Sequence, residues 1–156
     1  DLSLSASYTI PPAVLADYQV RITGVTKLPT APARRRINTG ESDFGVSVDI
    51  SRQFGAWTPF VTAGYLDRGQ PVGYIFHNTA SVSAGASYEL TDNLVAIASY
   101  DYDSADAPQT TAGHEIMGAL SWIYSDRLTL TGYGTAGLSA GSPDYGIGFL
   151  VSYGLN

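Results

Sequence analysis

Residues 80–89 read Ala-Ser-Val-Ser-Ala-Gly-Ala-Ser-Tyr-Glu, and the fold is decided there. Ala80, Val82, Ala84, Ala86 and Tyr88 fall on one side of an extended chain, and Ser81, Ser83, Gly85, Ser87 and Glu89 on the other. Successive side chains of a β-strand point to opposite faces, so the stretch predicts a strand with one greasy and one hydroxyl-rich face. The polar face cannot form a dry core, because each buried hydroxyl would need a partner. It suits a wet lumen, and the apolar face suits hydrocarbon.

The same period recurs along the whole chain. Leu2, Leu4, Ala6, Tyr8 and Ile10 alternate with Ser3, Ser5, Ser7 and Thr9. Tyr18, Val20 and Ile22 oppose Gln19, Arg21 and Thr23, and Phe44, Val46, Val48 and Ile50 oppose Gly45, Ser47, Asp49 and Ser51. Residues 57–66 are less regular: Trp57, Val61, Ala63 and Tyr65 share a face, but Phe60 lies on the other. Leu94, Ala96, Ala98, Tyr100 and Tyr102 oppose Ser99, Asp101 and Asp103, while Ile116, Leu120 and Trp122 form one face of a seventh segment. Leu128 and Leu130 alternate with Thr129, Thr131, Tyr133 and Thr135, and the last segment runs Tyr145, Ile147, Phe149, Val151, Tyr153, Leu155. The pattern predicts about nine strands (about 8–10) of roughly 9–11 residues, the length a tilted strand needs to cross a bilayer. The expected fold class is all-β, an antiparallel transmembrane β-barrel, with residues 1–156 as a single domain.

Composition agrees. Only 14% of the 156 residues are charged, 44% are hydrophobic, and the mean hydropathy is close to zero. Strict alternation of lipid-facing and lumen-facing residues produces that combination. A soluble sandwich or lipocalin-like barrel would show polar alternation outside, with more Lys and Glu. No run approaches the ~20 apolar residues of a spanning helix. The net charge of -6, without a basic stripe, argues against nucleic acid. The absence of cysteine excludes disulfides and thiolate metal sites, and no cofactor is expected.

Phe54-Gly55, Thr91-Asp92-Asn93 and Ser125-Asp126-Arg127 read as tight turns, whereas 28–42, 66–78, 104–112 and 139–144 read as longer loops. In outer-membrane barrels the short turns face the periplasm and the long loops the cell exterior. That orientation sets Tyr8, Tyr18, Trp57, Tyr88, Trp122 and Tyr153 at periplasmic strand ends, and Tyr65, Tyr100, Tyr102 and Tyr145 at extracellular ends, as two aromatic girdles. It also starts the first strand on the extracellular side. An odd strand count leaves the first and last strands parallel, so at least one N-terminal strand beyond Asp1 is expected, giving about 10–12 in the full-length protein.

Several local patterns resemble the bacterial outer-membrane family of transporters of the phenol-degradation MetA-pathway type. They are Thr26-Lys27-Leu28-Pro29-Thr30, Thr39-Gly40-Glu41 with Asp43-Phe44-Gly45, Phe60-Val61-Thr62-Ala63-Gly64-Tyr65, and Gly137-Leu138-Ser139 with Ser142-Pro143-Asp144. The resemblance implies an outer-membrane barrel that transports hydrophobic compounds, and it brings no catalytic residues. The ending Gly154-Leu155-Asn156 departs from the terminal aromatic residue usual in such barrels.

The candidate site residues are lumen charges. Across the hairpin closing over 28–42, Arg21 and Asp49 fall opposite each other and are expected to form an ion pair that gates or braces a narrow bore. Asp101, Asp103 and Glu115 form an acidic group, with Asp101 opposite Glu115. They are either solvated loop acids or, with Asp106, ligands for a hard cation such as Ca²⁺. Arg34, Arg35 and Arg36, in the longest loop, are candidates to pair with lipopolysaccharide phosphates. Barrel enzymes that trim lipid A use a lipid-facing Ser, His and carboxylate, but His114 and Glu115 must point to opposite faces, so no enzyme is expected. The expected partners are the lipid bilayer and lipopolysaccharide, plus an oligomer or partner chain at an open strand edge. The expected role is a passive, porin-like channel or transporter for small solutes in the outer membrane of a Gram-negative bacterium. The alternative is a structural or interaction barrel.

Overall fold

The computed structural model describes residues 2–11, 17–29, 41–70, 73 and 75–154. Nine strands follow one another: β1 Leu2–Ile10, β2 Tyr18–Leu28, β3 Asp43–Arg52, β4 Trp57–Asp67, β5 Thr79–Thr91, β6 Leu94–Asp103, β7 Gly113–Ser125, β8 Leu128–Gly137 and β9 Tyr145–Tyr153. No helix occurs among the described residues. The strands form one sheet whose order in space is the order in sequence, and every neighbouring pair is antiparallel. Short connections make this the natural outcome, since a strand leaving a tight turn meets its own predecessor first. At one turn Phe54 and Trp57 exchange backbone hydrogen bonds of 2.7 and 3.1 Å, and Gly55 takes the left-handed conformation (φ 60°) that a side chain would resist.

The sheet curls. Thr23 on β2 and Asp103 on β6 line one cavity of about 310 Å³. Four strand spacings would hold them roughly 19 Å apart on a flat sheet. The hydroxyl-rich face is therefore the concave one. Burial is inverted relative to a soluble sandwich: along β4, Trp57, Pro59, Val61, Ala63 and Tyr65 are exposed, while Thr58, Phe60, Thr62, Gly64 and Leu66 are half-buried. Among the described residues no large side chain is fully buried, and only Ala107 and Ser99 are buried at all, at 5% and 8% exposure. A dry apolar interior of the kind that holds a soluble domain together is not present in this sheet.

The convex face is apolar between its margins. Among its described strand residues the only charges are Arg52 and Asp67, each the last residue of its strand. The registers also show a stagger. Directly opposed residues run Tyr8, Ile22, Val48, Ala63, Val82, Tyr102, His114 from β1 to β7. That row begins close to the short-turn end of β1 and finishes close to the long-loop end of β7, as strands tilted to the axis of a curled sheet require.

Two glycines permit close approach on the concave side. A Cβ on Gly85 would meet the Ala98 carbonyl oxygen and the Phe60 ring, and one on Gly148 would collide with the Tyr133 ring. A glycine under an aromatic ring lets neighbouring strands coil without steric conflict. The sheet is not closed: β1 and β9 each pair on one side only.

Candidate functional site

The concave face carries the polar chemistry, and among the described residues two of its basins gather charged side chains. The upper one, at the long-loop end, is a cavity of about 610 Å³ lined in part by Arg68, Thr79, Asp103, Asp106 and Glu115. It adjoins the 310 Å³ cavity, with which it shares Arg68, Thr79 and Asp103. Its rim is tied down by loop contacts. The Arg68 guanidinium lies 3.4 Å from Asp106 and 5.9 Å from the centre of the Phe76 ring. The His77 amide donates to the Asp106 carbonyl at 2.8 Å, and the Thr110 hydroxyl donates to the Asp106 carboxylate at 2.9 Å. Lys27 pairs with Asp43, whose carboxylate also accepts the Gly69 amide at 3.0 Å. These bonds join the loop after β4 to the start of β3 and to the loop after β6.

The registers place Asp101 opposite Glu115, as the hairpin arithmetic predicts. Their strands bring Asp101, Asp103 and Glu115 to one end of the concave face, but the acids do not converge on a point. Ser99 donates to Asp101 at 2.7 Å and Asp106 is engaged by Arg68. Among the described residues no group of three acidic or histidine side chains is placed to hold a metal.

The lower basin, about 320 Å³, is lined by Gln19, Arg21, Asp49, Ser51, Phe60 and Thr62 with Ile50. Arg21 and Asp49 are register partners as predicted. The predicted ion pair is not formed. Arg21 Nε donates instead to the Thr9 hydroxyl at 3.3 Å on one neighbouring strand, and Asp49 accepts from the Thr62 hydroxyl at 2.7 Å on the other. Each charged side chain leans away from its partner toward a hydroxyl, which leaves the guanidinium solvated in an exposed position, where a direct pair would gain little.

The wall is also less hydroxylic than alternation suggests. Val25, Phe60, Leu66, Ile97, Met117, Tyr133 and Leu150 all occupy concave positions by register. Sequence reading also passed over Arg68 and the Lys27–Asp43 pair. Both were within reach: continuing the β4 alternation one step past Leu66 turns Arg68 inward, and the arithmetic that matched Arg21 with Asp49 also matches Lys27 with Asp43.

On the convex side the expected aromatic positions lie at the strand ends. Trp57 and Tyr88 pack at 4.7 Å between ring centres, and Trp122 meets Tyr124 edge-on at 5.3 Å. Arg52 lies 5.0 Å from the Tyr18 ring centre and 4.8 Å from that of Phe54, with Asp17 3.7 Å away. At the other end His114 bonds to the Tyr100 hydroxyl and packs 5.1 Å from Tyr102. Glu115 lines the upper basin on the opposite face, so His114 and Glu115 do not act as a pair. Arg34, Arg35 and Arg36 lie outside the described residues. Comparison of the chain with protein-family models and with curated proteins finds no match.

Proposed function

We propose that this chain is the wall of an outer-membrane β-barrel in a Gram-negative bacterium, acting as a passive channel or transporter for small solutes. One observation carries the proposal: a nine-stranded curled sheet turns outward a face that is apolar between its margins and turns most of its hydroxyls and charges inward. A surface of that kind in water would expose a contiguous apolar area far beyond the few hundred Å² soluble monomers tolerate. In lipid it is the favourable arrangement, with tyrosine and tryptophan at the two interfaces. The basins around Arg68 and Arg21 then form the path, and among the described residues acids outnumber the concave cations Arg21, Lys27 and Arg68 along it. The resemblance to the phenol-degradation transporter family adds that the solutes are hydrophobic.

Phe60, Leu66, Met117 and Tyr133 favour a second reading. Small barrels are filled by inward side chains, and a filled bore makes a structural or interaction barrel that binds lipopolysaccharide or a partner chain through its loops. Reconstitution into planar bilayers separates the two. Steady single-channel steps are expected for the channel. Silence after verified insertion would transfer the assignment to the structural barrel, and failure to partition into membranes would end both.

A further inference from the structure

We propose that Arg52 binds the phosphodiester headgroup of a glycerophospholipid at the short-turn margin of the convex face. The inference rests on the outer-membrane reading, which sets that margin against the phospholipid leaflet on the periplasmic side. Arg52 is the last residue of β3 and the only arginine or lysine among the described strand residues of the convex face. A cation is costly at the centre of an apolar band and tolerated at its interface. The chain places its one convex cation of this kind where lipid phosphates would lie.

The side chain is held, yet its donors are spare. Tyr18 faces Arg52 directly in the register. The guanidinium carbon lies 5.0 Å from the centre of the Tyr18 ring and 4.8 Å from that of Phe54. A guanidinium stacked on a ring keeps its N–H groups in its own plane, available to another partner. Asp17, 3.7 Å away, is too distant for a good hydrogen bond, and its side chain is 81% exposed, so water weakens the pair. Among the described residues the guanidinium donates no hydrogen bond. A donor fork fixed by two rings and lacking an acceptor fits the paired free oxygens of a phosphodiester, which it takes bidentately. The surroundings suit the rest of a lipid. Phe54 exchanges backbone hydrogen bonds with Trp57, and Trp57 packs on Tyr88, so an aromatic strip flanks the cation. Away from the margin, exposed Ile50 and Ile22 offer acyl chains an apolar bed on the same face. Free phosphate would use the fork alone. The opposite margin has no counterpart among the described strand residues: its convex charge is the acid Asp67, and His114 is bonded to Tyr100.

The test is native mass spectrometry of the protein in an uncharged, phosphate-free detergent. The probes are dioleoylphosphatidylglycerol, dioleoylglycerol and inorganic phosphate. The protein should retain phosphatidylglycerol in preference to the other two. R52Q should weaken that binding by about tenfold or more, as expected for lost charge-assisted hydrogen bonds. R52K, which keeps the charge but not the fork, should fall between them. D17N should strengthen binding by about twofold, because it removes the competing carboxylate. A merely structural arginine would not give opposite signs at positions 17 and 52, and a misfolded variant would not gain affinity. Equal retention by wild type and R52Q overturns the inference. Equal retention of dioleoylglycerol, or displacement of the lipid by an equal concentration of inorganic phosphate, does so too. A protein that requires detergent yet binds lipid without regard to Arg52 loses this site and keeps the membrane reading. One that folds in buffer without detergent or lipid loses both.

Discussion

Replacing Val61 by arginine tests the solvent of the convex face. Val61 is 47% exposed and lies on β4 midway between Trp57 and Tyr65, four residues from each. At about 3.4 Å per residue and a tilt near 45°, the proposed barrel would set it roughly 10 Å along the membrane normal from either aromatic margin. That is the centre of an apolar band about 25 Å tall. Arginine at such a depth costs about 2–4 kcal/mol, whereas the same change near an interface costs about 0–1 kcal/mol. V61R should therefore lower the folding constant in lipid vesicles by about 30- to 800-fold, and D67R, at the strand end, by less than about fivefold. Urea titration of vesicle-bound protein, followed by the fluorescence of Trp57 and Trp122, measures both. If the face is wetted by water instead, a half-exposed valine-to-arginine change is nearly neutral. A V61R penalty below about 0.5 kcal/mol, or a wild-type protein that folds without lipid or detergent, would refute the reasoning.

Two further outcomes follow from the concave face. Gly85→Ala should destabilise by about 1–3 kcal/mol, because its methyl group would meet the Ala98 carbonyl oxygen and the Phe60 ring, and the double change with Phe60→Ala should recover only part of that loss; a penalty below about 0.5 kcal/mol, read from denaturant midpoints, would mean that β5 and β6 do not approach so closely there. In a double-mutant cycle of Arg21→Met and Asp49→Asn, the coupling should stay under about 0.5 kcal/mol, since each side chain bonds to a different strand. A coupling above about 1 kcal/mol would restore the direct ion pair.

Strand number and register were readable in the sequence for a common reason. A period of two assigns each residue to a face, and the midpoint of a hairpin fixes which residues oppose one another, so the sequence alone sets Arg21 opposite Asp49 and Asp101 opposite Glu115. What a side chain does once placed was not readable. An arginine inside a sheet has a direct register partner on each flanking strand, and Arg21 bonds to Thr9 on β1 rather than to Asp49 on β3, a choice that pairing arithmetic alone does not make. The rim of the upper basin was hidden for a related reason. Arg68, Phe76, Asp106 and Thr110 meet through two loops with no periodicity. The irregularity at Phe60 was visible as a break in pattern, but its cause, a ring seated over Gly85 on the next strand, is a contact between strands.

The strictly consecutive strand order bears on how the chain acquires its shape. Each hairpin forms by closing a loop of modest length, an event of microseconds. The polypeptide can thus grow its sheet as a zipper grows, tooth by tooth from whichever turn forms first, without searching for distant partners. Topologies rich in local contacts fold fastest for this reason. If the chain is the wall of the proposed barrel, the slow event left over is closure, because the strands at the two ends of the zipper are the most distant in sequence.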